Sequence, residues 1–195
     1  MEKPISEKKE ELRSKYLEKR DSFSESIYLE KCNQIYQNTR KWVDTLNVNH
    51  IHCYLSMDQR NEVKTDPIIQ WLIQNHFTVS VPVVNFEKNT LEHYQISSFG
   101  NFETNRWGVR EPEPGSRVRR TEPALFDVVF VPVVASDREK NRLGYGKGFY
   151  DRFLSGTPAR KAGLVFDICV ADEKLPSESF DIKLDLLITE HEIAI

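Results

Sequence analysis

The chain has little cysteine, little methionine and no long apolar run, and each shortage removes a class of protein. Its three cysteines, Cys32, Cys53 and Cys169, are scattered and form no CxxC pair. An odd, unpatterned set supports neither a disulfide scaffold nor a zinc site, and it fits reduced thiols in a cytoplasmic setting. His50, His52, His76, His93 and His191 add no HxxxH or equivalent ligand spacing. No apolar stretch approaches the roughly 20 residues that span a bilayer, so no membrane role is expected. The opening residues Met1-Glu2-Lys3-Pro4 are polar, and no export signal is expected. An excess of positive charge is also missing. The 27 Lys and Arg against 30 Asp and Glu give a formal net charge of -3, which argues against a general nucleic-acid binder but leaves room for a local basic pocket.

What is present is an ordinary globular composition, 39% hydrophobic and 29% charged over 195 residues, enough for one substantial core. One domain covering 1–195 is expected. Residues 6–43 read as two helices. Ser6 is placed to cap the first, which carries Lys8, Lys9, Arg13 and Lys15 and a narrow apolar stripe of Leu12, Tyr16 and Leu17. Ser24 is placed to cap the second, with Ile27, Leu29, Ile35 and Trp42. Residues 50–55 are β-prone, 66–75 helical with Pro67 in the first turn, and 77–84 a valine-rich strand. Residues 91–96 alternate as an outer strand, whereas 99–116, with Gly and Pro clusters, read as irregular. The most apolar run, 126–134, is the best buried strand. A helix then opens near Asp151, and short strands follow at 161–166 and 185–189. Strands alternating with helices predict an α/β sandwich with a largely parallel sheet.

Only eight glycines occur, and three of them alternate in Asn141-Arg142-Leu143-Gly144-Tyr145-Gly146-Lys147-Gly148-Phe149-Tyr150-Asp151-Arg152. A backbone this free can turn its N–H groups onto an anion that Arg and Lys neutralise, and a following acid suits the Mg²⁺ that accompanies polyphosphate. The loop lies between a buried strand and a helix, where ligands bind in open α/β sheets. It is not a Walker loop, because Lys147 is not followed by Ser or Thr. A tight turn with solvated charges remains the plain alternative, and the density of Arg142, Lys147, Asp151 and Arg152 favours chemistry.

The run resembles the signature R-L-G-x-G-x-G-[FY]-Y-D-R of the 5-formyltetrahydrofolate cyclo-ligase family. Three further segments match in the family's order. These are Lys9-Glu10-Glu11-Leu12-Arg13, then Leu55-Ser56-Met57 with Asn61-Glu62-Val63, then Trp107-Gly108-Val109 with Glu111-Pro112. The resemblance spans nearly the whole chain. It implies an ATP- and Mg²⁺-dependent cyclisation of 5-formyltetrahydrofolate to 5,10-methenyltetrahydrofolate, with release of ADP and phosphate. It also implies a three-layer fold akin to ribose-phosphate isomerases and CoA transferases.

The resemblance distributes roles. ATP is expected to meet Lys9, Glu10, Glu11, Leu12 and Arg13, the loop Arg142, Leu143, Gly144, Tyr145, Gly146, Lys147, Gly148, Phe149 and Tyr150, and Arg152. Lys147 and Arg142 are the expected catalytic cations, acting on charge in the transferring phosphoryl group. Asp151 and Asp181 are the expected Mg²⁺ ligands. Leu55, Met57, Glu62, Trp107, Phe149 and Tyr150 are expected to face the folate, with Leu55 packing on it and Glu62 accepting from the pterin. Each assignment has a plainer rival: core packing for Leu55, Met57, Trp107 and Tyr150, a solvated face for Lys9 and Arg13, a turn role for Asp181.

Lys140 stands where glycine often precedes the signature, so an altered turn is expected. Residues 58–60 look one residue longer than in some relatives, and Tyr145 receives no role. A small-molecule substrate, no nucleic acid and a monomeric state are expected. The alternatives are a sugar-phosphate isomerase or other phosphate-binding enzyme of the same architecture, and a non-catalytic nucleotide- or folate-binding module.

Overall fold

Valine-rich segments that pair side by side organise this chain, and a computed structural model describes residues 3–194. Two helices come first, α1 (Ile5–Asp21) and α2 (Glu25–Val43). They are followed by β1 (His50–His52), α3 (Asp66–Gln74), β2 (Thr78–Asn85) and β3 (Thr90–Ile96). Short strands β4 (Phe102–Thr104), β5 (Arg110–Pro112) and β6 (Arg119–Arg120) precede the central β7 (Val128–Pro132). The remainder is β8 (Ala135–Asp137), β9 (Arg142–Leu143), α4 (Phe149–Ser155), β10 (Arg160–Leu164), β11 (Val170–Ala171), β12 (Leu186–Ile188) and β13 (Ile193–Ala194).

The main sheet runs β13-β12-β10-β7-β1-β2-β3-β6. Its inner strands β12, β10, β7, β1 and β2 are parallel, and β13, β3 and β6 join antiparallel at the two sides. Parallel strands need cover on both faces, and the fully buried run Val128, Val129, Phe130 and Val131 reflects that. The register puts Ile51 beside Val128 and His52 beside Val129. Phe130 therefore shares a face with Ile51, and Trp42 of α2 packs on it with ring centroids 6.3 Å apart. On the opposite face, Phe153 of α4 packs against His52 and His93. Helices on both sides of a largely parallel sheet make the expected α/β sandwich.

Several local expectations change. The first helix starts at Ile5 behind Pro4, so Ser6 lies inside it rather than capping it. Its buried side chains are Lys9, Tyr16 and Arg20, while Leu12 and Leu17 only flank the core. Ser24 does cap α2, accepting from the Ile27 amide, yet Ile27 and Leu29 are exposed because Tyr28, Cys32 and Ile35 form the inward stripe. Strand β1 ends at His52, so 53–55 continue as buried loop rather than strand. Residues 99–116 are not wholly irregular, since β4 and β5 pair there. The three cysteines are buried and free. No helix among the described residues is long and apolar enough to cross a membrane.

The layer beneath α4 is a buried histidine pair. His93 Nδ1 and His52 Nε2 share a hydrogen bond of 3.1 Å among Phe126 and Phe153. Burial, with the charge of Arg120, lowers His93 to about 4, and burial beside His93 and His50 holds His52 well below its ordinary value. Neutral imidazoles in the fold and protonatable ones in the unfolded chain mean that stability is complete above pH 6.5 and falls on acidification towards pH 4. His93 alone accounts for a loss of about 2 kcal/mol between pH 7.5 and pH 5. Urea unfolding across that range is expected to show the decline, and His93→Gln to flatten it. An unchanged pH slope in the variant would remove His93 as its source.

Candidate functional site

A cavity of about 450 Å³ opens beyond the carboxyl ends of β1, β2 and β7, where an open α/β sheet presents its loops. Its floor carries Pro82 and Val84 of β2 and Leu91 of β3, whose shared register turns them to one face. One wall is the glycine-rich loop 144–148, entered from the β8–β9 hairpin. Asp137 builds that hairpin by accepting from both the backbone and side-chain N–H groups of Asn141. Lys140 sits in its turn at φ +66°, the conformation glycine takes most easily, so the lysine carries roughly 1–2 kcal/mol of strain.

Helix α1 grips this loop. Arg13 Nε donates to the Gly144 carbonyl at 2.8 Å, and Arg20 Nη2 donates to the Tyr145 hydroxyl at 2.8 Å. Gly146 and Gly148 have φ of +82° and +68°, where a side chain is strained. A Cβ at Gly146 would also lie 3.0–3.2 Å from the Arg13 guanidinium, so glycine admits the arginine. Lys147 lies exposed between these glycines and lines the cavity. The Arg142 side chain is only 4% exposed. Its Nη2 donates to Asp151 Oδ1 at 2.7 Å, while its Nε has no protein partner. The buried Tyr150 hydroxyl likewise has none. Both residues line the cavity, while these two atoms themselves are buried behind its surface.

The two acids face this cationic wall. Asp151 Oδ1 also accepts from the Ile182 amide at 3.2 Å. Asp181 Oδ2 accepts from Lys9 Nζ at 2.6 Å and from the Glu178 amide at 2.7 Å. Lys9 is nearly buried and also reaches Glu178 at 2.8 Å. Burial alone would lower Lys9, but its bonds and charge attraction to Asp181 and Glu178 outweigh that and raise it. Among the described residues, no three His, Cys, Asp or Glu converge as a self-sufficient metal cage. A lone pair of carboxylates suits a cation that completes its shell with phosphate and water.

The far end is more apolar. Leu55 is buried and Met57 half-buried, and both line the cavity with Trp107 and Phe149, whose rings lie 5.5 Å apart. Residues Asp58–Arg60 form one 3₁₀ turn closed by Asn61 at φ +46°, and the buried Glu62 follows it. Glu62 Oε2 accepts from the Met57 amide at 2.7 Å. Burial raises its pKa, against the lowering effect of the Met57 hydrogen bond. Arg110 anchors the same loop by donating to the Ser56 carbonyl at 3.1 Å and pairing with Asp66.

The cavity thus gathers Lys9, Arg13, Leu55, Met57, Glu62, Trp107, residues 142–151 and Asp181. Glu10, Glu11, Leu12 and Arg152 lie outside its lining, for geometric reasons. Each helical step turns about 100°, so Lys9 and Arg13 share a face that residues 10–12 leave. Glu10 pairs with Arg13, Glu11 with Lys3, and Leu12 packs at the core margin. Arg152 points back to the Asn89 and Lys147 carbonyls. Sequence reasoning missed Arg20, Tyr54, Arg60 and Glu178. For Arg20 a signal existed, since Lys9, Arg13, Tyr16 and Arg20 recur at helical spacing.

Comparison with known proteins matches residues 5–190 to the model of a family described as the 5-formyltetrahydrofolate cyclo-ligase family. A 5-formyltetrahydrofolate cyclo-ligase of Haemophilus influenzae is 32% identical over 158 residues, 78% of this chain and 82% of that protein. One from Escherichia coli K12 is 34% identical over 145 residues, 72% and 77% of the two chains. The solution structure of Aquifex aeolicus 5,10-methenyltetrahydrofolate synthetase superposes with a TM-score of 0.81 at 30% identity, covering 95% of this chain and 91% of that one. A Mycoplasma pneumoniae synthetase shares the fold at TM-score 0.74 and 22% identity, over 93% and 98%.

Lys9→Met is expected to leave Asp181 and Glu178 without their cation and to lower stability by about 1–3 kcal/mol, less than a fully buried pair because both acids are partly exposed. Denaturant titration would register it. A midpoint equal to that of the parent protein would show that the ion pairs contribute no net stability.

Proposed function

Because the chain belongs to the 5-formyltetrahydrofolate cyclo-ligase family, we infer that it uses ATP to close 5-formyltetrahydrofolate into 5,10-methenyltetrahydrofolate, as a single domain of residues 1–195. The observation that carries this reading is the two-ended cavity: a cationic glycine loop with two carboxylates at one end, an apolar and aromatic wall with a buried acceptor at the other. Such a site suits a polyphosphate beside a flat heterocycle.

The chemistry makes sense of the residue types. A formamide oxygen leaves poorly as it stands. Its attack on the γ-phosphorus transfers the phosphoryl group and releases ADP. The neighbouring nitrogen then attacks the activated carbon, and the oxygen departs with phosphate as the ring closes. Phosphoryl transfer relies mainly on positioning and charge neutralisation. Lys9 and Arg13 meet the nucleotide phosphates, and the 144–148 backbone wraps them. Arg142, which lines the cavity beside Asp151, and the exposed Lys147 neutralise charge on the phosphoryl in flight. Tyr150, which lines the cavity, meets substrate at the junction of the two ends. Glu62 accepts from the donor edge of the pterin, and Leu55, Met57, Trp107 and Phe149 cover its faces.

Asp151 and Asp181 would hold Mg²⁺, which supplies charge neutralisation at the phosphates when bound. The fit rests on both acids lining the cavity, each held through one carboxylate oxygen. A small-molecule folate substrate, a cytoplasmic setting and a monomer complete the reading.

Growth of methenyltetrahydrofolate absorbance from 5-formyltetrahydrofolate, dependent on ATP and Mg²⁺, tests the reading. No product with fresh reagents would sink it. Lys147→Ala is expected to cut kcat by roughly 100-fold or more while the KM for ATP moves only a few-fold, the signature of an interaction made in the transition state. Equal losses in both would move Lys147 to ground-state binding. Asp151→Asn is expected to shift the Mg²⁺ titration of turnover to higher concentration by about tenfold. An unshifted titration would count against ligation.

A further inference from the structure

The third matching motif ends in Glu111-Pro112, and neither Glu111 nor Asn105 lines the cavity. Both are nonetheless built into its wall. Strands β4 and β5 form a hairpin whose turn, residues 105–109, carries Trp107 and Val109 into the cavity lining. Asn105 closes that turn. Its Oδ1 accepts from the Trp107 amide at 2.9 Å and from the Val109 amide at 3.2 Å, and its own amide donates to the Val109 carbonyl at 2.9 Å. Its Nδ2 donates to Glu111 Oε1 at 2.7 Å. The same Glu111 oxygen accepts from the Val84 amide at 2.8 Å. Strand β1 pairs with β2 only as far as Ser80, and Val84 lies beyond that point, on the cavity floor.

We propose that Glu111 is a positioning residue: through Asn105 it fixes the turn that carries Trp107 at a set distance above the β2 floor, where the folate ring lies. The proposal rests on the reading of Trp107 as a folate contact. Glu111 is only 6% exposed, and a carboxylate taken from water and held by two donors fixes their separation. On the solvent side the hold is weaker. The exposed Gln59 donates to the Gly108 carbonyl at 2.8 Å, and Trp107, 43% exposed, meets Phe86 edge-on with ring centroids 4.6 Å apart.

Both Glu111 bonds need only an acceptor oxygen, so the amide oxygen of glutamine can replace the carboxylate. Leucine at 111 supplies no acceptor and leaves the Val84 amide and Asn105 Nδ2 without this partner. Aspartate at 105 keeps an acceptor for Trp107 and Val109 but turns an oxygen towards Glu111 where the N–H donor was. It cuts the tie to β2 and leaves the turn's own bonds in place.

Binding of 5-formyltetrahydrofolate and the KM of ATP would be measured for Asn105→Asp, Glu111→Leu, Glu111→Gln, Trp107→Leu, and Asn105→Asp combined with Trp107→Leu. Asn105→Asp and Glu111→Leu are each expected to weaken folate about tenfold, the worth of one aromatic contact. Glu111→Gln should stay within about threefold of the parent protein, and the KM of ATP should move less than about threefold throughout. The double variant should bind folate no worse than Trp107→Leu, because the tie acts through Trp107. Acrylamide quenching of tryptophan fluorescence reads the turn directly, since Trp42 and Trp71 are buried and Trp107 is exposed. Quenching should rise in Asn105→Asp and stay level when Trp107 is already leucine. Additive losses in the double variant, or Glu111→Gln as weak as Glu111→Leu, would overturn the proposal. Unweakened folate in Trp107→Leu would overturn both this proposal and the reading of Trp107. Weakened folate there, with Asn105→Asp and Glu111→Leu unaffected, would remove the positioning role alone. If Glu111→Leu proves unstable, the near-isosteric Asn105→Asp carries the same comparison.

Discussion

The buried basic face of α1 is the constraint on which the rest of this structure depends. Lys9, Tyr16 and Arg20 point inward, and Arg13 lies on the same face. Guanidinium and ammonium groups taken from water must find partners, and α1 itself supplies only Glu10, to Arg13. Lys9 finds Glu178 and Asp181, Arg13 finds the Gly144 carbonyl, and Arg20 finds Tyr145. These partners lie 125–172 residues away in sequence. The first helix is therefore held to the last third of the chain by polar contacts rather than by an apolar stripe. The surface where they meet is the wall of the cavity.

The same contacts arrange charge within it. Asp151 and Asp181 each already have a cation beside them, Arg142 and Lys9. Both acids are thus held in place in a site that also has to receive an anion. Glycine serves this arrangement by letting the loop pass close to Arg13 with backbone angles that other residues resist. Beneath α4 the logic reverses. The His52–His93 pair is kept neutral among Phe126 and Phe153, so the helix that presents Phe149, Tyr150 and Asp151 rests on an uncharged layer.

Much of this was legible in the residues themselves. The run 126–134 announced the central strand, Pro67 and Ser24 marked helix starts, and the alternating glycines marked the loop. The motifs at 9–13, 55–57 and 107–109 located the other walls. What misled was local likeness. Ser6 looks like a cap, but Pro4 and Ile5 already begin the helix. Ile27 and Leu29 look like core, but the neighbouring Tyr28, Cys32 and Ile35 win the inward face. Residues 10–12 belong to a matching motif, yet helical rotation carries them off the cavity lining. Glu178 has no pattern that would single it out before Lys9 is seen beside it.

By itself the sequence determined the alternation of strands and helices, the family, and the residue types available at the cavity, because periodicity, turn chemistry and motif spacing are local properties. Only the tertiary structure decided which charges meet. It paired Lys9 with Asp181, Arg142 with Asp151, and Arg20 with Tyr145. Those choices follow from desolvation: a buried charge takes whichever partner the packed fold brings within hydrogen-bonding distance, and that distance is not written in the spacing along the chain.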